Sequence, residues 1–494
     1  MLKKAVLVSF VAMLLILSSS LAFALETNGL ISGTSLTGVN NVEGVGTFTF
    51  PAGLAPSINP GGLGDALIYG YYNVRGNVNL FNIVNTDTVN GAKIRVVFRN
   101  GKTSEEVLDF SVCLSQGDVW TAYLLDDGTA GHIYGGVDTD TITSPAITST
   151  GQEFAFGGTT LTDVTADDTR EGYFEIVSFS QIPNYDKNAS TTANCTSSSG
   201  PQNCVSSASQ CSAETTWTNT TPVGNVLFGN NTIVKLSDLE TYSYNATAIA
   251  DAFPEATSDP GPGKELSIPS SMAPPTFYND TEDVPTSSCV AFDWLFMKDT
   301  VYTPYDIMTA LAGQTDLIIT FPSRHACHSH IDAPYADGDD DSNNMLGAEM
   351  FDCTAETNSS DKTLCTAYCT NVGLSVWDDK ENTLTSLAFS PSQGSCLPNE
   401  VNVIHIGGSA IWNTSLGTTV NVGTFQLGWL AVSLTDGEND HAILWNDDTL
   451  AMGVMHGLPA IAYTTQDFES GEASYMVPAI YDTLINETNT VPFP

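Results

Sequence analysis

A chain of 494 residues, 42% hydrophobic and only 14% charged, is long enough to bury more than one core and is not composed like a disordered protein. Its 56 acidic residues against 15 Lys and Arg give a formal net charge of −41. Such a field repels nucleic acid and anionic lipid, which excludes phosphate-backbone binding as a main role and leaves cations, cationic partners or solubility as reasons for the charge.

The chain opens with Lys3 and Lys4, an apolar run from Ala5 to Leu17, three serines at Ser18 to Ser20, and Ala22-Phe23-Ala24. This order predicts a secretory signal peptide over 1–24, with cleavage after Ala24. The first cysteine is Cys113, so no lipidated cysteine follows the cleavage site, and nothing later is apolar enough to span a bilayer. The expected product is secreted, extracellular or on the cell surface, without a direct membrane span after cleavage.

Residues 25–183 are expected to form an N-terminal β-sandwich. Strands are predicted at Ala66 to Tyr72, Asn79 to Val84, Val107 to Leu114 and Val119 to Leu125, with Gly172 to Phe179 and Phe154 to Phe156 completing the set. Between them lie turn signals such as Arg75-Gly76-Asn77, Asn90-Gly91 and Asn100-Gly101. Ala92, Ile94, Val96 and Phe98 alternate with Lys93, Arg95 and Arg99, the pattern of a half-buried strand. Arg75, Lys93, Arg95, Arg99 and Lys102 could then attract the acidic remainder of a neighbouring copy, or could simply be a solvated face.

Residues 184–280 read as a Ser/Thr/Cys- and Pro-rich linker or insertion, with a helix as the reading of Leu236 to Phe253. Residues 281–494 read as a second β-rich domain with long acidic loops. It is expected to hold a short helix at Tyr305 to Leu311 and strands at Asp316 to Phe321, Val401 to Ile406, Thr418 to Val422, Gln426 to Leu434 and Ala460 to Tyr463. The fold class is therefore mainly β, two sandwich-like domains with long disulfide-tied loops. The ten cysteines, Cys113, Cys195, Cys204, Cys211, Cys289, Cys327, Cys353, Cys365, Cys369 and Cys396, are even in number and follow a signal peptide, which favours disulfides, although spacing alone does not give their connectivity.

Three groups of residues bear on possible chemistry. His325-Ala326-Cys327-His328-Ser329-His330 could give zinc or copper several ligands, with His328 and His330 on one side if the chain is extended; the alternative is a loop whose Cys327 is in a disulfide. Asp337, Asp339 and Asp341 lie in an acidic run that fails the EF-hand pattern, since Ser342 and Ala348 stand where Gly and Glu are required, but an irregular calcium site fits their mutual repulsion. Gly407-Gly408-Ser409-Ala410 lacks the last glycine of a nucleophile elbow, no Cys-x-x-Cys-His offers haem attachment, and no His-Glu-x-x-His occurs. Calcium is thus the first cofactor expectation, zinc or copper the second, and haem is not expected.

Gly64-Asp65-Ala66-Leu67-Ile68-Tyr69, Phe110 to Ser115 with Asp118-Val119-Trp120, Thr315 to Pro322 and Gly457 to Ala462 make the chain resemble a group of uncharacterised secreted bacterial surface proteins. The resemblance implies export and architecture, and no site. The functional expectation is a non-catalytic structural protein, a self-assembling coat, filament or adhesive component, whose partners are itself or other surface proteins. The alternatives are a secreted metal- or carbohydrate-binding protein and a carboxylate-dependent hydrolase.

Overall fold

The computed structural model describes residues 47–49, 56–136, 141–147, 149, 151–153, 165–183, 211, 221–256, 266–272, 276–278, 283–285, 288–328, 370–385, 387–390, 396–435, 442–447, 450–468 and 473–482. The segment 1–24 expected to be a signal peptide, Phe154 to Phe156, His330 and the Asp337 to Asp341 run lie outside them.

Four sheets hold most of the described strands, and their burial patterns give their order. A first outer sheet runs Gln152–Glu153, Gly131–Gly135, Val119–Asp126, Asn77–Asn85, Leu227–Lys235, Thr241–Asn245. Its strands alternate buried with exposed or half-buried positions, so one face meets solvent. A first inner sheet runs Ser57–Ile58, Thr247–Ala250, Ala66–Asn73, Glu171–Pro183, Asn90–Asn100, Glu106–Leu114, Ile142–Ser144. Ala66–Asn73 is buried at every position, and Asn90–Asn100 and Glu106–Leu114 at all but their first, so this sheet is covered on both faces.

Phe81 and Trp120 of the outer sheet interlock with Phe98, Phe110 and Phe174 of the inner one, mostly edge-on or tilted at 4.9–6.0 Å. Such pairs add to the area they bury, and this cluster is the centre of the first sandwich.

The second half repeats the arrangement. A second inner sheet runs Phe389–Ser390, Gly417–Val420, Val401–Ile406, Gln314–Thr320, Ile461–Phe468, Ala473–Pro478, and a second outer sheet runs Thr383–Thr385, Gly373–Asp378, Leu427–Ser433, Thr300–Asp306, Ile480–Asp482. Leu317, Ile319 and Ile404 of the inner sheet share a core with Val301, Leu430 and Val432 of the outer one.

The alternate residues Ile318, Val401, Val403, Ile461 and Tyr463 face the other way and belong to the core of the first sandwich. Gly70 makes that approach possible, because a Cβ there would lie 2.8 Å from the Tyr463 ring and 3.0 Å from Ile461. The Thr320 hydroxyl donates to the Gly70 carbonyl at 2.6 Å, and the Val401 N–H to the Gly101 carbonyl at 2.8 Å. The four sheets therefore stack as outer, inner, inner, outer, with one buried cluster on each side of the second inner sheet.

This stacking corrects three readings of the sequence. Leu227–Lys235, Thr241–Asn245 and Thr247–Ala250 fall in the stretch read as a linker or insertion, yet Leu227–Lys235 pairs along its whole length with Asn77–Asn85 and so belongs to the first outer sheet. The helix expected at Leu236 to Phe253 is two of these strands, and at Tyr305 to Leu311 only Thr309–Leu311 is helical, as a single 3-10 turn. The basic residues taken as one face of a half-buried strand are buried: Arg95 binds Asp109 at 2.6 Å, Arg99 binds Glu175 at 2.9 Å, and Lys93 is equally enclosed.

Short helices pack beside Arg99. Ile268–Ser271 begins at a Ser267 N-cap, and the Leu266 carbonyl just before it accepts from Arg99 at 2.6 Å. Phe292, Leu295 and Phe296 of the helix Ser288–Phe296 join the same core. Two disulfides fasten the outlying segments: Cys113–Cys211, and Cys289–Cys327, which ties Ser288–Phe296 to the helix Arg324–His328. Cys396 is also disulfide-bonded. These bonds belong to an oxidising, extracellular setting. No helix among the described residues is long and apolar enough to cross a membrane.

Asp65, at the start of Ala66–Asn73, is buried and accepts from the Ala252 and Phe253 N–H groups at 2.9 and 2.8 Å. Burial pushes its carboxyl up to about 7, against those two hydrogen bonds. The folded state then holds this proton more tightly than the unfolded state does, so the group favours folding below the ordinary carboxyl range and loses that contribution as pH rises through about 7. Thermal melts from pH 4 to 8 should show a decline over this window that Asp65→Asn flattens. An unchanged slope in the variant would refute the assignment.

Candidate functional site: a polar seam and two outward faces

Between the inner sheets runs a seam of buried polar side chains. Asp316, on Gln314–Thr320, is fully buried and holds His405, on the paired strand Val401–Ile406, through Nδ1 at 2.8 Å. Beyond His405 the chain turns at Gly407 and Gly408, whose φ values of 75° and 89° suit glycine. The turn lets the Ile411 and Trp412 N–H groups return to the other Asp316 oxygen at 3.0 and 3.2 Å. Burial raises the Asp316 carboxyl despite these donors. For His405, burial pulls the imidazole down, but Asp316 outweighs it and holds the ring above its usual range.

An Asp-His pair of this kind orients a general base in many hydrolases, so its far side decides its role. A Cβ at Gly417 would meet His405 Nε2 at 2.7 Å and the Thr414 methyl at 3.0 Å, so the ring edge is packed. The Thr414 hydroxyl donates instead to Glu171. In this arrangement the Asp316-His405 pair anchors the Trp412 turn to the sheet. Trp412 then packs against Tyr71 and Tyr242 of the first sandwich, at 5.8 and 4.7 Å.

Glu171 is the second anchor. It accepts from the Tyr71 hydroxyl at 2.9 Å, the Asn73 amide at 3.3 Å and the Ser415 N–H at 3.1 Å, besides Thr414, with Arg75 at 3.4 Å. Burial raises its carboxyl while these donors counteract the rise. Arg75 also makes a two-pronged contact with Asp167, at 2.7 and 2.8 Å, and Lys102 binds Asp168 at 2.7 Å. Four of the five clustered basic residues are thus paired inside the molecule, which removes them as an attraction for a neighbouring copy.

Of the expected metal ligands, His330, Asp337, Asp339 and Asp341 lie outside the described residues. Cys327 is in a disulfide, so its sulfur is no metal ligand, and Arg324–His328 is helical rather than extended. Among the described residues no group of three His, Cys, Asp or Glu side chains could hold a metal.

The solvent-facing sides of the two outer sheets present the accessible chemistry, and sequence reasoning missed them because each row draws on several strands. On the second outer sheet Trp377 and Trp429 are cross-strand partners with rings stacked at 3.7 Å, next to Tyr302 at 5.8 Å from Trp429. Trp429 and Ile480 are 38% and 47% exposed. The first outer sheet exposes Leu80, Val119 and Phe228, with Tyr123 and Tyr134 stacked at 4.8 Å. Both faces carry large apolar side chains that a monomer leaves in water.

Searches against protein-family models, curated proteins and solved structures match nothing for this chain.

Proposed function

We propose that the chain is a secreted structural and adhesive component of a cell surface that works by bridging partners, copies of itself included. The observation that carries this reading is the pair of opposed outward faces, Trp377-Trp429-Tyr302 at one end of the four-sheet stack and Leu80-Tyr123-Phe228 at the other. A stack whose inner sheets are tied together at the Glu171 and Asp316 seam is a stiff spacer between two such faces. Aromatic anchors in a partly buried patch are also the side chains that dominate interfaces between proteins. The basic cluster gives no support to assembly, so the reading rests on the faces alone.

Light scattering and electron microscopy of the purified mature chain, with and without calcium, test it. Ordered polymers, or self-association abolished by Trp429→Ala, are the expected result. A strict monomer at every calcium and salt concentration, bound to no native cell surface, would overturn it.

A further inference from the structure

The outward face of the first outer sheet has a grid that only the strand register reveals. Leu80 stands opposite Tyr123 on one side and Thr232 on the other, Tyr123 opposite Tyr134, and Thr232 opposite Ser243. The next row along the strands sets Thr121, Asn82, Asn230 and Asn245 side by side. With strands about 4.8 Å apart, each row runs roughly 15–20 Å across the sheet. An aromatic and aliphatic row thus lies beside a row of amides and a hydroxyl, and a groove of about 260 Å³ opens between them, lined by Leu80, Asn82, Thr121, Tyr123, Asn230 and Thr232 among others.

The groove is ordered before any ligand arrives. Tyr134 is held by Gly151, where a Cβ would lie 2.3 Å from the ring, and Tyr123 stacks on Tyr134 with only 4° between their planes. Gly136 keeps the far end open, since its Cβ would strike the Thr121 hydroxyl at 2.6 Å. Asn82 donates to the Asn230 amide oxygen at 2.7 Å, which fixes both amides and leaves the Asn230 amide nitrogen without a partner among the described residues. Rigid aromatic and amide groups of this kind lose little conformational entropy on binding.

We infer that this groove binds a neutral oligosaccharide presented from outside the protein. None of the six lining residues named above is ionisable at neutral pH, in a chain whose formal charge is −41, so the groove offers nothing to pair with a phosphate, sulfate or ammonium group. A sugar ring has an apolar face that lies on an aromatic ring and hydroxyls that both donate and accept. The groove supplies Tyr123 for the first and the amides of Asn82 and Asn230 with the hydroxyls of Thr121 and Thr232 for the second. This inference deepens the adhesive reading by naming what one end of the stack grips, and it does not require the other end to self-associate.

The test uses the full mature chain and its Trp429→Ala variant, titrated calorimetrically with soluble mannan, β-glucan and arabinogalactan and pulled down on insoluble cellulose and chitin. Binding to at least one neutral glycan is expected, unchanged by Trp429→Ala and by raising sodium chloride from 50 to 500 mM. Tyr123→Ala and Asn82→Ala should each weaken it about tenfold or more, with unaltered melting curves, while Tyr123→Phe retains it. Failure to bind any glycan in the panel, binding indifferent to both alanine variants, or binding lost in salt would overturn the inference. So would a covalent glycan on Asn230 or Asn245 of the native protein, both of which stand in Asn-x-Thr sequences, because that glycan would occupy the face itself. A variant that binds glycan but never assembles leaves this inference standing while removing self-association from the proposed function.

Discussion

Glu171→Ala is expected to destabilise the protein by about 3–5 kcal/mol, the range for removing one partner from a buried charged network. The carboxylate sits where the two halves meet, and its loss leaves the Tyr71 and Thr414 hydroxyls and the Ser415 N–H without their acceptor. Arg75 would keep the Ser415 hydroxyl and Asp167, whose carboxylate is 44% exposed and so a weaker compensation for a guanidinium that is itself largely buried. Thr414→Val removes one donor to Glu171 and the acceptor of the Leu416 N–H, and should cost about 1–3 kcal/mol. Urea unfolding followed by the fluorescence of Trp412, packed between Tyr71 and Tyr242, measures both. A loss below about 1 kcal/mol for Glu171→Ala would show that the seam does not hold the halves together.

The second large effect is expected from the bond between Cys113 and Cys211. It closes a loop of 98 residues, for which the chain-entropy argument gives a stabilisation of about 4–5 kcal/mol. Both half-cystines are fully buried, in a small cluster with Ile142 and Ile182 at the edge of the first inner sheet. Replacing both with Ser removes the cross-link and also buries two hydroxyls, so the double variant should lose at least as much as the loop term. Replacing both with Ala separates the two contributions. Unfolding midpoints of the alanine and serine pairs within about 1 kcal/mol of the native protein would contradict the role given to this bond.

The strands were legible in the sequence wherever apolar residues alternate between turn residues. Val401–Ile406 falls where alternation and its flanks place it, and Ala66–Asn73, Asn77–Asn85, Glu106–Leu114 and Val119–Asp126 lie within two residues of expectation at each end. What alternation does not report is which of two faces meets water. Lys93, Arg95 and Arg99 give the pattern of a half-exposed strand, but all three are buried, Arg95 against Asp109 on the neighbouring strand and Arg99 against Glu175, 76 residues away. The strands of 227–250 were obscured by context, since a Ser/Thr/Asn-rich stretch before them and a Pro-rich one after them have the composition of a connection.

The sites were less legible for a related reason. Asp316 and His405 are 89 positions apart and Glu171 and Thr414 are 243 apart, so no local motif announces either pair. The glycan-facing grid depends on the register of Asn77–Asn85 with both Val119–Asp126 and Leu227–Lys235. Local clustering instead drew attention to His325, His328 and Cys327, where the cysteine proves to be a disulfide partner.

Two buried clusters flank the second inner sheet, and the seam of Glu171 and Asp316 is expected to make the two sandwiches a single stiff unit. Differential scanning calorimetry of the intact, oxidised protein tests this most directly. One transition is predicted, with calorimetric and van't Hoff enthalpies in agreement. Two resolved transitions, the first leaving the Trp377-Trp429 sheet folded, would contradict it.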